Sequence, residues 1–124
     1  MRIWIMIGGI LGCIGVVLGA FGAHSLKAVL TAKQLAGFKT AVQYHFLHSF
    51  ALILIGVIHG QADPASHAKI NRAGKFFVAG IIMFSGSIYA LTLGGPKFLG
   101  PITPLGGLCF MIGWLILAFS TPKK

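Results

Sequence analysis

The sequence predicts an all-α protein, an antiparallel four-helix transmembrane bundle. Three observations predict it. Residues Ile3 to Ala23 carry no charged side chain. At ~1.5 Å per residue, that run crosses a ~30 Å hydrocarbon core as a helix. Three further apolar runs follow it at short intervals. The whole chain is 56% apolar and 9% charged, with mean hydropathy +0.92, whereas a soluble domain is about 25% charged. Such a chain lacks the polar surface to face water all round. Residues 1–124 read as a single integral membrane domain, with spans at 3–23, 41–60, 76–94 and 104–120. There is no low-complexity segment, internal repeat or separate soluble unit in the pattern.

The first span is marked by Gly8, Gly12, Gly15, Gly19 and Gly22, spaced 4, 3, 4 and 3 residues apart. At ~100° per residue those positions stay within roughly 80° of one another. One side of the helix is therefore bare backbone. In water this costs up to ~1 kcal/mol per glycine. In lipid it lets another helix approach closely. A cleaved signal peptide is the competing reading of this segment. The run exceeds the usual ~7–15 residue apolar core, and more spans follow, so a retained helix is expected.

The second helix starts before its apolar run. Thr31-Ala-Lys-Gln34 matches a capping box, with Thr31 as N-cap and Gln34 reaching back. Lys33 and Lys39 then lie at the membrane surface, their stems in lipid and their charges in water. Gly60 and Asp63-Pro64 end this helix, and Asp63 is placed to cap the next one with Pro64 at its first position. That piece is either a short interfacial helix through Asn71 or continuous with the third span. The third span contains Ser85, Gly86 and Ser87, small residues suited to helix contact, with Gly86, Ala90 and Gly94 on one face. Gly94-Gly95-Pro96 is a turn signal. Thr103 is the expected N-cap of the fourth span, with Pro104 at its first position. Ser120-Thr121-Pro122 is the expected stop.

Orientation follows from Lys and Arg. Arg2, Lys69, Arg72, Lys75, Lys123 and Lys124 share one side of a four-span chain. Lys27, Lys33, Lys39 and Lys97 share the other. The bias places both termini in the cytoplasm. Net charge is +9, with Asp63 the only acidic residue. The cations flank apolar spans and so suit anionic lipid headgroups rather than nucleic acid.

Residues able to carry chemistry are few. His45, His48, Leu52, Ile55 and His59 share one helix face, with Ser49 and Gly56 beside them, and a polar strip of this kind belongs in the bundle interior. His45 and His48, one turn apart, could in principle share a metal, with His24 reaching in from the first span. No HExxH, CxxCH or Cys-His cluster supports that, and no metal or cofactor is expected. Cys13 and Cys109 read as small apolar filler. With one acid in a loop, paired-carboxylate chemistry within one chain is excluded. So is transport by an intramembrane carboxylate. Ser85 and Ser87 have no nucleophile motif or acid-oriented base around them. An enzyme is therefore not expected.

Four ordered segments carry a family resemblance. They are Gly19-Ala-Phe-Gly-Ala-His24-Ser-Leu26, Phe38-Lys-Thr40-Ala41-Val-Gln-Tyr44 with His48, Phe84-Ser85-Gly86-Ser87-Ile-Tyr89, and Ile102-Thr103-Pro104-Leu-Gly106-Gly107 with Gly113-Trp114. Their order and spacing resemble the small membrane proteins grouped as domain of unknown function 423, to which eukaryotic transmembrane protein 256 is similar. The resemblance covers nearly the whole chain. It implies a four-helix protein of the bacterial inner membrane, and the motif histidines fall on His24 and His48. The position of His45 is more often Gln in that family. No activity comes with the resemblance.

The expected role is that of a non-enzymatic membrane protein that assembles with itself or serves as an accessory subunit of a larger membrane complex. The alternatives are a bundle that binds a small ligand (a lipid, quinone or metal) and an oligomeric transporter. The ligand reading needs His24, Tyr44, His48, Ser85 and Tyr89 to share a polar pocket. A specific expectation follows: His24 and His48 lie at one membrane level, in direct or water-mediated contact.

Overall fold

A computed structural model describes residues 2–120. Among the described residues all regular structure is helical. The elements are α1 (Arg2–Phe21), α2 (Ala32–Gln61), α3 (His67–Gly80), α4 (Gly86–Thr92) and α5 (Ile102–Ala118). A π turn at Gly22–Leu26 extends α1, and a second at Ile81–Ser85 joins α3 to α4 without a break. Four stretches are long and apolar enough to cross a membrane: Arg2–Leu26, Ala32–Gln61, Pro64–Thr92 and Lys97–Ala118. Successive spans run antiparallel through short connections, giving the four-helix transmembrane bundle. Lys123, Lys124 and the Thr121-Pro122 stop lie outside the described residues.

Local chemistry sets the boundaries. The Thr31 hydroxyl accepts from the Gln34 N–H at 3.1 Å, and the Thr31 N–H donates to Gln34 Oε1 at 3.0 Å. Both bonds of the capping box are therefore made. After α2, Asp63 is extended (φ −64°, ψ 147°) and its side chain makes no capping bond. Extended backbone is what a residue before proline prefers. The third span begins at Pro64, well before the expected Phe76. The piece after Asp63 is therefore continuous with the third span, the second of its two expected readings, and Lys69, Arg72 and Lys75 occupy the exposed face of a helix whose other face buries Ile70, Ala73, Gly74 and Phe77.

The third span ends in a Schellman motif. Gly94 is left-handed (φ 91°). The Gly95 N–H reaches Ala90 O at 2.7 Å and the Gly94 N–H reaches Leu91 O at 3.2 Å. A residue with a Cβ would strain this turn. The start of α5 differs from expectation. Thr103 is not its cap, because Pro101 already holds helical backbone (φ −64°, ψ −19°) and the helix opens at Ile102. The Thr103 hydroxyl bonds Ser87 instead.

Packing is closest between α1 and α2, and between the third span and α5. The glycines of α1 lie along α2 in antiparallel register. A Cβ at Gly22 would meet the Phe38 ring at 2.6 Å, and one at Gly19 would meet Val42 at 3.4 Å. One at Gly15 would meet Phe46 at 3.3 Å and His45 at 3.4 Å. One at Gly12 would meet Ser49 Cβ at 4.0 Å, and one at Gly8 would meet the Ser49 carbonyl at 2.7 Å. A second glycine seam, unremarked in the sequence, joins the third span to α5. Gly80 lies against Phe110, Gly113 against Phe77, and Gly106 against the backbone of Met83 and Phe84. Gly86 does not take part in this seam, since a Cβ there would meet only Ile81 O at 3.8 Å.

The apolar core gathers Trp4, Leu52, Ile55, Ile70, Ala73, Phe77, Ile81 and Phe110. The perimeter is equally apolar: Val16 is 59%, Phe50 71% and Phe119 75% exposed. An apolar perimeter suits hydrocarbon, which draws no penalty from such side chains.

Candidate functional site

The polar groups of α2 form two histidine-centred knots. The deeper one surrounds His48, which is fully buried. Trp114 Nε1–H donates to His48 Nε2 at 3.0 Å. Indole can only donate, so Nε2 must accept. The proton therefore sits on Nδ1, which donates to Tyr44 O, one turn back, at 2.8 Å. Both ring nitrogens are used by the neutral tautomer. The ring stacks on Phe110 at 3.6 Å and 11°, and the edge of the Phe77 contact lies at 5.2 Å and 66°. Gly80 and Gly113 make room for Phe110 and Phe77, so the second glycine seam is also what brings this aromatic cage around His48.

The other knot joins three helices through His45, also buried. Its Nε2 lies 2.7 Å from Leu11 O and its Nδ1 lies 2.9 Å from the Tyr89 hydroxyl. A carbonyl can only accept, so Nε2 carries the proton and the Tyr89 O–H donates to Nδ1. Gly15 leaves space for the imidazole to reach the α1 backbone. Nearby, the Ser85 hydroxyl donates across helices to Ala41 O at 2.7 Å, and the Ser49 hydroxyl donates to His45 O at 2.8 Å. Ser87 bonds its own Phe84 O at 3.0 Å and the Thr103 hydroxyl of α5.

Further groups complete the set. Trp4 Nε1–H donates to Asn71 Oδ1 at 2.8 Å, tying α1 to α3, and the indole lies over Gly74. His59 and His67 stack with ring centroids 3.9 Å apart, and His67 Nε2 is buried without a partner among the described residues.

The five residues expected to share a pocket are thus divided. Tyr89 and Ser85 belong with His45. Tyr44 lies against His48, its ring 6.2 Å away at 15°. His24 joins neither group. It is exposed in the π turn, and both His48 nitrogens are taken by Tyr44 and Trp114. The expected tie between His24 and His48 is not made. Sequence reasoning placed His45 and His48 on one inward face, but it missed Trp114, Phe110 and Leu11 as their partners. A periodicity shows which residues share a face and not which helix covers them. Among the described residues no group of three or more His, Cys, Asp or Glu is placed to hold a metal ion.

These features define a small polytopic α-helical membrane protein with a hydrogen-bonded interior. The chain belongs to the family described as protein of unknown function DUF423, whose profile matches residues 18–107. It is 42% identical over 123 residues to a UPF0382 membrane protein of Staphylococcus haemolyticus, covering 99% of this chain and 98% of that one. It is 39% identical over 124 residues to UPF0382 membrane protein YwdK of Bacillus subtilis, with the same coverage. No solved structure matches.

Proposed function

We propose that this protein is a non-catalytic component of a bacterial cell membrane, acting through its helix surfaces as a self-assembling or accessory subunit. One observation carries the reading. The polar side chains buried between the helices are bonded to one another or to backbone carbonyls of the fold. His45 and His48 each have both nitrogens bonded, and the hydroxyls of Ser49, Ser85, Ser87 and Tyr89 are each engaged. A nucleophile or general base needs a partner it can exchange with substrate. Each of these buried groups is already closed into the fold. What the molecule offers its surroundings is apolar helix surface.

The test is the mass of the native particle. Extracted in mild detergent and examined by native mass spectrometry, the protein is expected well above its 13.1 kDa monomer, as a homo-oligomer or with a co-purifying membrane subunit. Oxidative crosslinking in the membrane gives a second readout, because Cys13 is exposed on α1. A strictly monomeric particle, with no partner and no crosslink, overturns the reading.

A further inference from the structure

We propose that the cleft between α2 and α5 binds an anionic glycerophospholipid, with an ester carbonyl on the Tyr44 hydroxyl and the phosphate toward Lys33 and Lys97. The cleft has a volume of about 380 Å³, within the ~300–1,000 Å³ typical of small-molecule sites. Its walls include Tyr44, Leu47, Phe84, Met111 and Trp114, and Phe110 lies in its floor. His48 also borders it, but with both nitrogens engaged it presents only ring surface. Apart from Thr40 and Tyr44 the lining side chains are apolar or ring surface, which suits an acyl chain.

One polar atom breaks this pattern. Tyr44 is 41% exposed, and its hydroxyl has no hydrogen-bond partner among the described residues. Thr40, one turn nearer the surface, already donates its hydroxyl to Ala36 O at 3.0 Å. The Tyr44 O–H is therefore the donor this wall offers. Hydrocarbon has no acceptor to give it, and an unmet donor in lipid is costly. A lipid ester carbonyl is an acceptor available at that depth.

Charge selects the headgroup. Lys33 lies on the face of α2 that continues through Gly37, Thr40 and Tyr44. Lys97 precedes α5 at the same end of the bundle. The sole acidic residue, Asp63, is beyond the far end of α2 and neutralises neither. Cations at the end of the bundle nearest Thr40 and Gly107 of the groove favour a phosphate without a compensating amine. Gly107 forms a notch in the α5 wall, where a Cβ would only touch Phe84 at 3.8 Å.

The test uses the full-length protein stripped of lipid in detergent. Phosphatidylglycerol or phosphatidylcholine of identical chains is added, and bound lipid is counted by native mass spectrometry. Phosphatidylglycerol is expected to be retained at activation energies that remove phosphatidylcholine. Tyr44→Phe should weaken its retention about fivefold, the worth of one hydrogen bond. Gly107→Leu should fill the groove and abolish retention without lowering the melting temperature of the lipid-free protein. Lys33→Ala with Lys97→Ala should erase the preference between the two lipids. Equal retention of both lipids by the unmodified protein overturns the proposal. So does retention unchanged by Tyr44→Phe and Gly107→Leu.

Discussion

His45 and His48 lie three residues apart on α2, yet their partners demand opposite tautomers. Trp114 can only donate and Leu11 O can only accept, so the proton sits on Nδ1 of His48 and on Nε2 of His45. Each substitution then has a distinct expected cost. Trp114→Phe keeps the aromatic contact with Phe77 but leaves His48 Nε2 buried without a donor. It should lower stability by about 1 kcal/mol, read as a drop in thermal unfolding temperature in lipid nanodiscs. At position 45 the discriminating pair is Gln against Leu. A Gln side chain supplies both a donor and an acceptor, whereas Leu removes the imidazole acceptor of the Tyr89 O–H and the donor to Leu11 O. His45→Gln should melt closer to the unmodified protein than His45→Leu does. Equal melting of the two variants would mean that the bonds to Leu11 and Tyr89 contribute nothing.

At the scale of elements, glycine decides which helices meet. The α1 seam was legible because five glycines at 4, 3, 4, 3 spacing leave no alternative to one bare face. Its partner was not legible, since bare backbone does not specify what lies on it. The structure supplies a ranking within the seam. Gly8 and Gly22 face the tightest approaches, at 2.7 Å to Ser49 O and 2.6 Å to Phe38, while Gly19 has ordinary contact at 3.4 Å. Gly8→Leu and Gly22→Leu should therefore disturb folding most, and Gly15→Leu and Gly19→Leu less. Val16→Leu should be nearly silent, since Val16 faces outward, and Leu18→Phe should cost less than any glycine change. Thermal unfolding in detergent checks the order, and a flat series would contradict the seam. Gly106 is the harsher case on α5. Even Gly106→Ala drives a methyl into the backbone at Met83 and Phe84, where no side chain can swing away. The capping box of α2 was legible because it needs only two residues three apart. Thr31→Ala should cost about 1 kcal/mol. The length of the third helix stayed open between two readings, because three cations interrupt its apolar run and only the burial of Ile70, Ala73 and Phe77 shows which face those cations leave free.

Over the whole molecule, side-chain bonds tie α1 to α2, α1 to α3, α2 to both α4 and α5, and α4 to α5. In lipid the apolar surfaces of helices have little to gain from one another, so close packing and such bonds hold a bundle together. Orientation is expected to follow the cations, with Lys69 on the cytoplasmic side and Lys97 outside. In a background of Cys13→Ser and Cys109→Ser, an impermeant maleimide added to intact cells should label Lys97→Cys and spare Lys69→Cys. The reverse pattern would invert the topology without touching the fold. The central claim is that the intramembrane histidines are spent on holding helices together. Nitrogen-15 NMR of histidine-labelled protein in bilayers at neutral pH tests it most directly. Two neutral imidazoles of opposite tautomer are expected, His48 protonated on Nδ1 and His45 on Nε2, each assigned by substitution. A shared tautomer, a doubly protonated ring at either position, or resonances of the unprotonated nitrogens that do not move in Trp114→Phe and Tyr89→Phe would contradict it.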